Sequence, residues 1–256
     1  MLFNNRNTNA VKTLFNLSKE NSDPIFSFDK IADLPEPVKK YFHFALTERH
    51  DYINIISTRF EGLFRLKETQ QWSSINGVDY YSVNCPGFIW FAKMKTSPLF
   101  WFTVKDYYLQ DKGKALAKAY SLFTVASAEG PEIDQGALSR WLSSAVLFPK
   151  ALLPSDNLTW ESINKNSARL LFSYKDIKID AVIYFGRSGE IVRFVTDRYC
   201  YETNKFEKWT AYYKSYEDYS GSKIPTEVGA VWHFPTKHFN YARFRFTNID
   251  SNTKPK

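Results

Sequence analysis

Runs of alternating apolar and polar residues, separated by turn sequences, are the feature that most restricts the fold of this chain. Phe60, Phe64 and Leu66 fall on one side of an extended segment and Glu61 and Arg65 on the other, which is the two-residue period of a half-buried strand. Similar runs recur at the spacing expected of barrels and large curved sheets. They predict eleven or twelve strands, near 53–66, 70–75, 87–95, 99–109, 115–125, 157–163, 168–174, 177–185, 190–200, 207–217, 226–234 and 240–249.

Two segments depart from this period and predict helices. The first covers 36–47, with Pro37 in its first turn, and the second covers 134–147, opened by Asp134. Turn sequences such as the one at 111–114 predict hairpins that join neighbouring strands. Both helices are expected to pack on the sheet through their apolar faces.

The fold class that follows is mainly β with short packed helices, an α+β arrangement. We expect a large curved antiparallel sheet, forming a half-barrel or an open barrel, similar by strand pattern to the half-barrel of bacterial lipoprotein carriers. The 22 Phe, 16 Tyr and 7 Trp fit such a pleated surface. The predicted organisation is an N-terminal extension at 1–33, a single β-rich domain at 34–250 and a C-terminal tail at 251–256.

Short motifs in a fixed order resemble one family. The motifs are LPEPVKKY at 34–41, PGFIW at 86–90, DYY at 106–108, KGK at 112–114, RWL at 140–142, FPKALLP at 148–154 and GSKIPT at 221–226, before Trp232. They resemble the largely bacterial family called domain of unknown function 6544. Family members often carry Arg at the Lys39-Lys40 pair and Trp-Pro where this chain has Phe148-Pro149. The resemblance implies no established activity, cofactor or site residue.

The net charge gives little information about binding partners. Lys and Arg outnumber Asp and Glu by 34 to 27, a formal charge of +7, which attracts acidic surfaces through weak long-range steering. The basic residues are scattered, which disfavours nucleic acid. Val11, Leu14 and Phe15 trace a short amphipathic helix that could contact a membrane, and packing on the core is the favoured alternative because its apolar stripe is short.

The cysteines and the N-terminus predict a cytoplasmic protein. Cys85 and Cys200 are the only cysteines, so free thiols are expected. Lys12, Thr13 and Asn16 interrupt the only apolar stretch near the start, so neither a signal peptide nor a transmembrane segment is predicted. The oligomeric state is left open.

Known catalytic motifs are absent from the sequence. It has no GxSxG elbow, no phosphate-binding GxxxxGK[ST] loop and no GxGxxG after a strand. The four histidines, His43, His50, His233 and His238, do not match a metal-site spacing, and no metal or organic cofactor is predicted. The remaining catalytic candidates are Asp106, Glu129, Asp134 and Arg140, joined by Arg198, because they lie in or beside apolar segments. The competing interpretation makes Asp134 a helix cap and Arg140 part of a structural ion pair.

Aromatic residues support a different function, the binding of a hydrophobic or amphipathic, lipid-like small molecule in the concave face of the sheet. The predicted ligand-binding residues are Phe88, Trp90, Phe102, Trp141, Trp209 and Trp232. A solid aromatic core explains the same rings equally well. An enzyme with a carboxylate and arginine site, and a structural or protein-interaction module, remain as alternatives, with a non-enzyme favoured.

Overall fold

The computed structural model describes residues 5–18, 26–48 and 53–251. His50 and nearly all of the predicted C-terminal tail lie outside these residues. The described α-helices are α1 (Asn5–Leu17), α2 (Glu36–Ala45) and α3 (Pro131–Ser144). The strands are β1 (Ile55–Phe64), β2 (Ser73–Ser82), β3 (Gly87–Ser97), β4 (Phe100–Leu109), β5 (Lys112–Ala119), β6 (Phe123–Glu129), β7 (Leu158–Asn164), β8 (Ser167–Tyr174), β9 (Ile177–Phe185), β10 (Ile191–Cys200), β11 (Lys205–Tyr219), β12 (Ser222–Phe234) and β13 (Lys237–Ser251).

The strands form an open antiparallel sheet. Their hydrogen-bonded order is β6-β5-β4-β3-β2-β1-β13-β12-β11-β10-β9-β8-β7, so most strands pair with their neighbours in sequence, as short hairpin connections require. The predicted fold class, a mainly β antiparallel sheet with short helices, is confirmed. The chain divides into two compact units, which are described separately: unit 1 contains 1–22, 53–142 and 241–256, and unit 2 contains 23–52 and 143–240.

Unit 1 has a different helix on each face of its sheet. Val11 and Leu14 of α1 are buried in one cluster with Ile55, Val78 and Ile89. Successive residues of a strand point to opposite faces, so Phe88 and Trp90, on either side of Ile89, belong to the other face. Arg140 of α3 lies over both of those rings. We call the two sides the α1 face and the α3 face.

Unit 2 contains β7 to β12 and α2. The apolar side of α2 is fully covered, with Val38, Tyr41, Phe42 and Ala45 each at most 1% exposed. Pro37 lies in the first turn of α2, where its missing N–H has no intrahelical partner to lose. The helix predicted at 36–47 is therefore present, although it ends at Ala45.

The predicted strand at 115–125 is wrong, because this segment contains the end of β5, a turn and the start of β6. Tyr120 and Ser121 adopt left-handed φ angles of 50° and 62°. Hairpin turns of this hand usually carry Gly, Asn or Asp, and this turn has none of them. The turn therefore left no compositional signal.

The second predicted helix begins earlier than expected. It starts at Pro131, and a short 3-10 segment continues it over Ala145–Leu147. Proline at the first helical position and Glu132 in the first turn are sufficient start signals. Asp134 thus lies inside the helix. In the described part of the chain, no helix has both the length and the apolar character needed to cross a membrane.

Candidate functional site

A row of side chains on the α3 face crosses three strands. Trp90 on β3 is paired with Asp79 on β2 and with Asp106 on β4. Directly paired residues point to the same face of a sheet, so all three side chains lie on the side where α3 packs. Arg140 reaches this row from α3. These residues form the candidate site.

Arg140 links the two carboxylates. Its Nη1 lies 2.5 Å from Asp106 Oδ2, and its Nη2 lies 3.7 Å from Asp79 Oδ1. The guanidinium carbon is 5.0 Å from the ring centre of Phe88 and 4.7 Å from that of Trp90, in the range of cation-π contacts. Burial lowers the pKa of Arg140, but the charges of Asp106, Tyr81 and Asp79 outweigh it and raise the pKa overall. Arg140 is therefore a permanently charged, half-buried cation.

Asp79 is the most unusual group of the site. It is 3% exposed, and burial raises its pKa from 3.8 to about 7, although Arg140 and the hydroxyls of Tyr81 and Thr58 oppose the rise. Thr58 Oγ1 donates to its Oδ2 at 3.4 Å. A carboxyl with this pKa holds a proton in about half of the molecules at neutral pH. Asp79 can therefore both donate and accept hydrogen bonds under ordinary conditions.

Two buried polar atoms of the row lack hydrogen-bond partners among the described residues. They are Asp79 Oδ1, whose nearest charged group is beyond hydrogen-bond distance, and Trp90 Nε1. Buried polar atoms without partners destabilise a fold and are rare in native proteins. One is an acceptor and the other a donor, and they belong to directly paired residues. The row is thus suited to a small polar group that both donates and accepts.

Apolar side chains surround this polar row. The rings of Phe60 and Trp90 stack with centroids 5.6 Å apart, and Phe244 lies 5.0 Å from Phe60. On the other side of Asp106, β5 contributes Ala115 to the same face. The remaining β5 residues of this face, Gly113, Ala117 and Ala119, are also small. Large rings therefore lie at one side of the polar row and small residues at the other.

Two of the predicted catalytic residues lie outside this site. The Asp134 carboxylate accepts the Gly113 N–H at 2.6 Å and lies 3.0 Å from Lys112 Nζ. Glu129 accepts from Lys114 Nζ at 2.7 Å and is exposed. Asp134 therefore holds α3 against β5 through the Gly113 backbone, where a helix cap had been predicted. Asp106 and Arg140 are the predicted candidates that the structure brings together.

Four of the predicted ligand-binding residues belong to unit 1. Phe88 is 0% exposed and Trp90 4%, and Phe102, paired with Met94, lies on the same face further along the sheet. Trp141 of α3 donates from Nε1 to the Ser82 carbonyl at 2.9 Å. Trp141 thus ties the helix to β2, which positions Arg140 over the site.

The other two predicted residues lie in unit 2. Trp209 on β11 is paired with Trp232 on β12. The Arg198 guanidinium carbon lies 5.0 Å from the Trp209 ring and 5.9 Å from the Trp232 ring. Unit 2 therefore has its own contact between an arginine and two aromatic rings.

His233 and His238 form a close pair in unit 2. Their Nδ1 atoms are 2.8 Å apart, and His233 Nε2 is 2.8 Å from Thr210 Oγ1. Burial, His238 and Lys208 lower the pKa of His233. Within the described residues, no three His, Cys, Asp or Glu side chains are grouped to hold a metal ion.

Four residues of the site were not predicted from the sequence: Thr58, Phe60, Asp79 and Phe244. Asp79 did have a signal, because it is the only acidic residue in a segment that is buried on both faces, from Gly77 to Ser82. A carboxylate at such a position needs a partner or a function. Phe244 comes from β13, far along the chain, and no local pattern brings it to Phe60.

Comparisons with known proteins identify a family. The profile of the family of unknown function DUF6544 matches residues 24–244. No curated protein matches the chain in sequence. A LolA superfamily protein from Nitrosomonas europaea is similar in structure, with 8% identity, a TM-score of 0.46 and coverage of 86% of this chain and 93% of that one.

A porin-like protein from Bacteroides uniformis is also similar, with 10% identity, a TM-score of 0.33 and coverage of 78% and 99%. The family profile covers most of the chain and includes every residue of the candidate site. The chain belongs to the DUF6544 family.

Proposed function

We propose that the α3 face of unit 1 binds an amphipathic small molecule. Its apolar part would pack against Phe60, Trp90 and Phe244, and its polar group would accept from Trp90 Nε1 and donate to Asp79 Oδ1. The observation that supports this proposal is the pair of buried polar atoms that lack hydrogen-bond partners and lie among aromatic rings. Pockets for small molecules are commonly apolar, with a few polar groups that fix the ligand's orientation.

Charge balance favours an uncharged polar group on the ligand. Arg140 is already shared by Asp106 and Asp79, so an added negative charge in this buried place would lack compensation. A hydroxyl group has the required donor and acceptor on one atom. A long-chain alcohol is therefore a better model ligand than the matching fatty acid or alkane.

The proposal assigns different tasks to the residues predicted from the sequence. Trp90 would contact the ligand's polar group, Phe88 and Arg140 would fix the Trp90 ring, and Trp141 would hold α3 in position. Phe102 would contact the far end of the apolar chain, since it is further along the same face. Trp209 and Trp232 remain a predicted second aromatic surface in unit 2.

A binding titration tests the proposal. Purified protein is titrated with a long-chain alcohol, the fatty acid of the same length and the corresponding alkane, with binding followed by native mass spectrometry. We expect the alcohol to bind best, and Trp90→Phe to weaken it by about tenfold because the indole donor is lost. Trp160→Phe, at a buried tryptophan of unit 2 outside the predicted binding residues, is the matched control. Equal effects of the two variants, or equal binding of alcohol and alkane, would contradict the proposal.

The buried carboxylate favours enzymatic activity as a second candidate function. A pKa of about 7 suits Asp79 to general acid or base catalysis at neutral pH, and Arg140 could stabilise a developing negative charge. In that case the bound compound would be recovered chemically altered, and the rate would change near pH 7 in the wild type but not in Asp79→Asn. Recovery of unchanged ligand from both proteins supports binding alone.

A further inference from the structure

Three turns lie together at one end of the unit 1 sheet. They join β1 to β2 (residues 65–72), β3 to β4 (98–99) and β5 to β6 (120–122). The pairs Phe64↔Ser73, Ser74↔Lys95 and Phe102↔Ala119 show that these turns share one end. The outermost two are about 20 Å apart, from four inter-strand spacings. We call this end the turn rim.

The turn rim exposes large apolar side chains. Leu99 is 83% exposed, Leu122 73%, Phe123 68% and Val125 53%. Leu66, in the first turn, is 47% exposed. Single exposed apolar residues are ordinary, but several of them at one end of a sheet indicate an interaction surface.

Aromatic contacts hold two of the turns together. The ring of Tyr120 lies 5.0 Å from Phe100 and 5.0 Å from Trp101 in edge-on geometry. Lys93 Nζ lies 4.6 Å from the centre of the Trp101 ring. Leu99 and Leu122 therefore project from a fixed base of aromatic residues. Tyrosine and tryptophan are enriched at the level of lipid headgroups.

Positive charge flanks these apolar tips. Lys93, Lys95 and Lys118 lie just inside the turns, and the segments 93–105 and 112–128 contain no Asp or Glu. In the first turn, Arg65 and, from β13, Arg243 both lie 4.6 Å from the Trp72 ring. The apolar side chains at the turns would reach the apolar interior of a membrane, and the cations just inside the turns would then lie at the level of its anionic headgroups.

We propose that the turn rim docks unit 1 on an anionic lipid membrane, with Leu99, Leu122 and Phe123 inserted below the headgroups. Separate protruding tips can enter a fluid bilayer, whereas a protein partner would need a matching cavity for each of them. The short helix α1 is not available for this contact through its apolar side, because Val11 and Leu14 are 1% and 0% exposed. The proposal does not depend on ligand binding at the α3 face.

Vesicle co-sedimentation of the full chain tests this proposal. Vesicles of phosphatidylcholine alone are compared with vesicles that also contain phosphatidylglycerol, at low and high salt. We expect binding to the anionic vesicles, weakened by salt, and a loss of about tenfold or more in the triple variant Leu99→Ser, Leu122→Ser, Phe123→Ser. Lys95→Gln with Lys118→Gln should weaken binding chiefly at low salt.

A matched triple variant provides the control. Tyr201, Phe206 and Ile163 of unit 2 are 71%, 54% and 48% exposed, and their replacement by Ser should leave vesicle binding unchanged. Circular dichroism confirms that each variant is folded. The proposal is overturned if the wild type does not bind, or if the two triple variants behave alike. It is also overturned if the wild type self-associates without binding vesicles and the rim variant loses that self-association. The turn rim would then be a contact between protein copies.

Discussion

The two faces of the unit 1 sheet solve the problem of burial in different ways. The α1 face is filled by aliphatic and aromatic side chains, including Val11, Leu14 and Phe91. The α3 face buries Asp79 and half-buries Arg140 within the same span of the sheet. A face that only stabilises the fold has no need of buried charge. This difference favours the α3 face as the place of the proposed function.

The two faces also differ in the pKa shift of a cation that lies over aromatic rings, Lys105 on the α1 face and Arg140 on the α3 face. Lys105 Nζ lies 5.3 Å from the Phe91 ring and 5.0 Å from the Tyr107 ring on the α1 face, and burial lowers its pKa. Arg140 contacts two rings on the α3 face, but its pKa is raised because the charges of Asp106, Tyr81 and Asp79 together outweigh burial. The carboxylates near Arg140 thus favour its charged form, whereas burial disfavours the charged form of Lys105.

Removal of Arg140 should have the largest effect. Arg140→Met leaves the carboxylate of Asp106 partly buried without its cation, and we expect the free energy of unfolding to fall by about 4 kcal/mol. Chemical denaturation measures this change. Arg169→Met is the control, because Arg169 pairs with Asp180 at 48% exposure and such surface pairs contribute little to stability. Equal losses in the two variants would remove the special role assigned to the α3 face.

Leu14→Ala should be almost as destabilising, by about 3 kcal/mol, since it leaves a cavity in the α1 face. Leu14 is 0% exposed and packs in the α1-face cluster. Ligand affinity of the folded variant should stay at the wild-type value, measured below its unfolding transition. A weakened affinity would show that the two faces are not independent.

Asp79→Asn should have an effect that depends on pH. The folded-state pKa of about 7 exceeds the usual 3.8, so the stability that protonation provides is present below pH 4 and is lost as the pH rises through 7. The asparagine variant cannot ionise. We expect it to be more stable than the wild type by up to about 4 kcal/mol at pH 8 and nearly equal at pH 4. Thermal unfolding over this pH range measures the difference, and parallel curves would contradict the raised pKa.

The smallest change in stability is expected for Trp90→Phe. The phenyl ring keeps the contact with Phe60, and the unpartnered Nε1 is removed, so the free energy of unfolding should change by about 1 kcal/mol or less. Its loss of ligand affinity, about tenfold, should therefore appear without a matching loss of stability. A proportional loss of both would make Trp90 a core residue only.

The sequence predicted the fold better than the site for physical reasons. Alternation and turn composition are local, so most strands could be located, and the turn at Tyr120 was missed because its left-handed residues are not typical ones. Asp106 and Arg140 were candidates because they interrupt apolar segments. Asp134 was a candidate on the same grounds. The sequence does not show that its carboxylate accepts a hydrogen bond from the backbone N–H of Gly113 on β5. Asp79 meets Arg140 only through tertiary packing.

The most direct test of the account is native mass spectrometry of the protein purified from its own host, compared with Ala115→Phe. Ala115 lies on the α3 face beside Asp106, so a phenyl ring there should fill the proposed binding space, while Leu116→Phe on the opposite face is the control. We expect a bound amphipathic compound in the wild type and in Leu116→Phe, and its loss in Ala115→Phe. Absence of any compound from all three, with no uptake of the long-chain alcohol, or equal occupancy in all three, would contradict it.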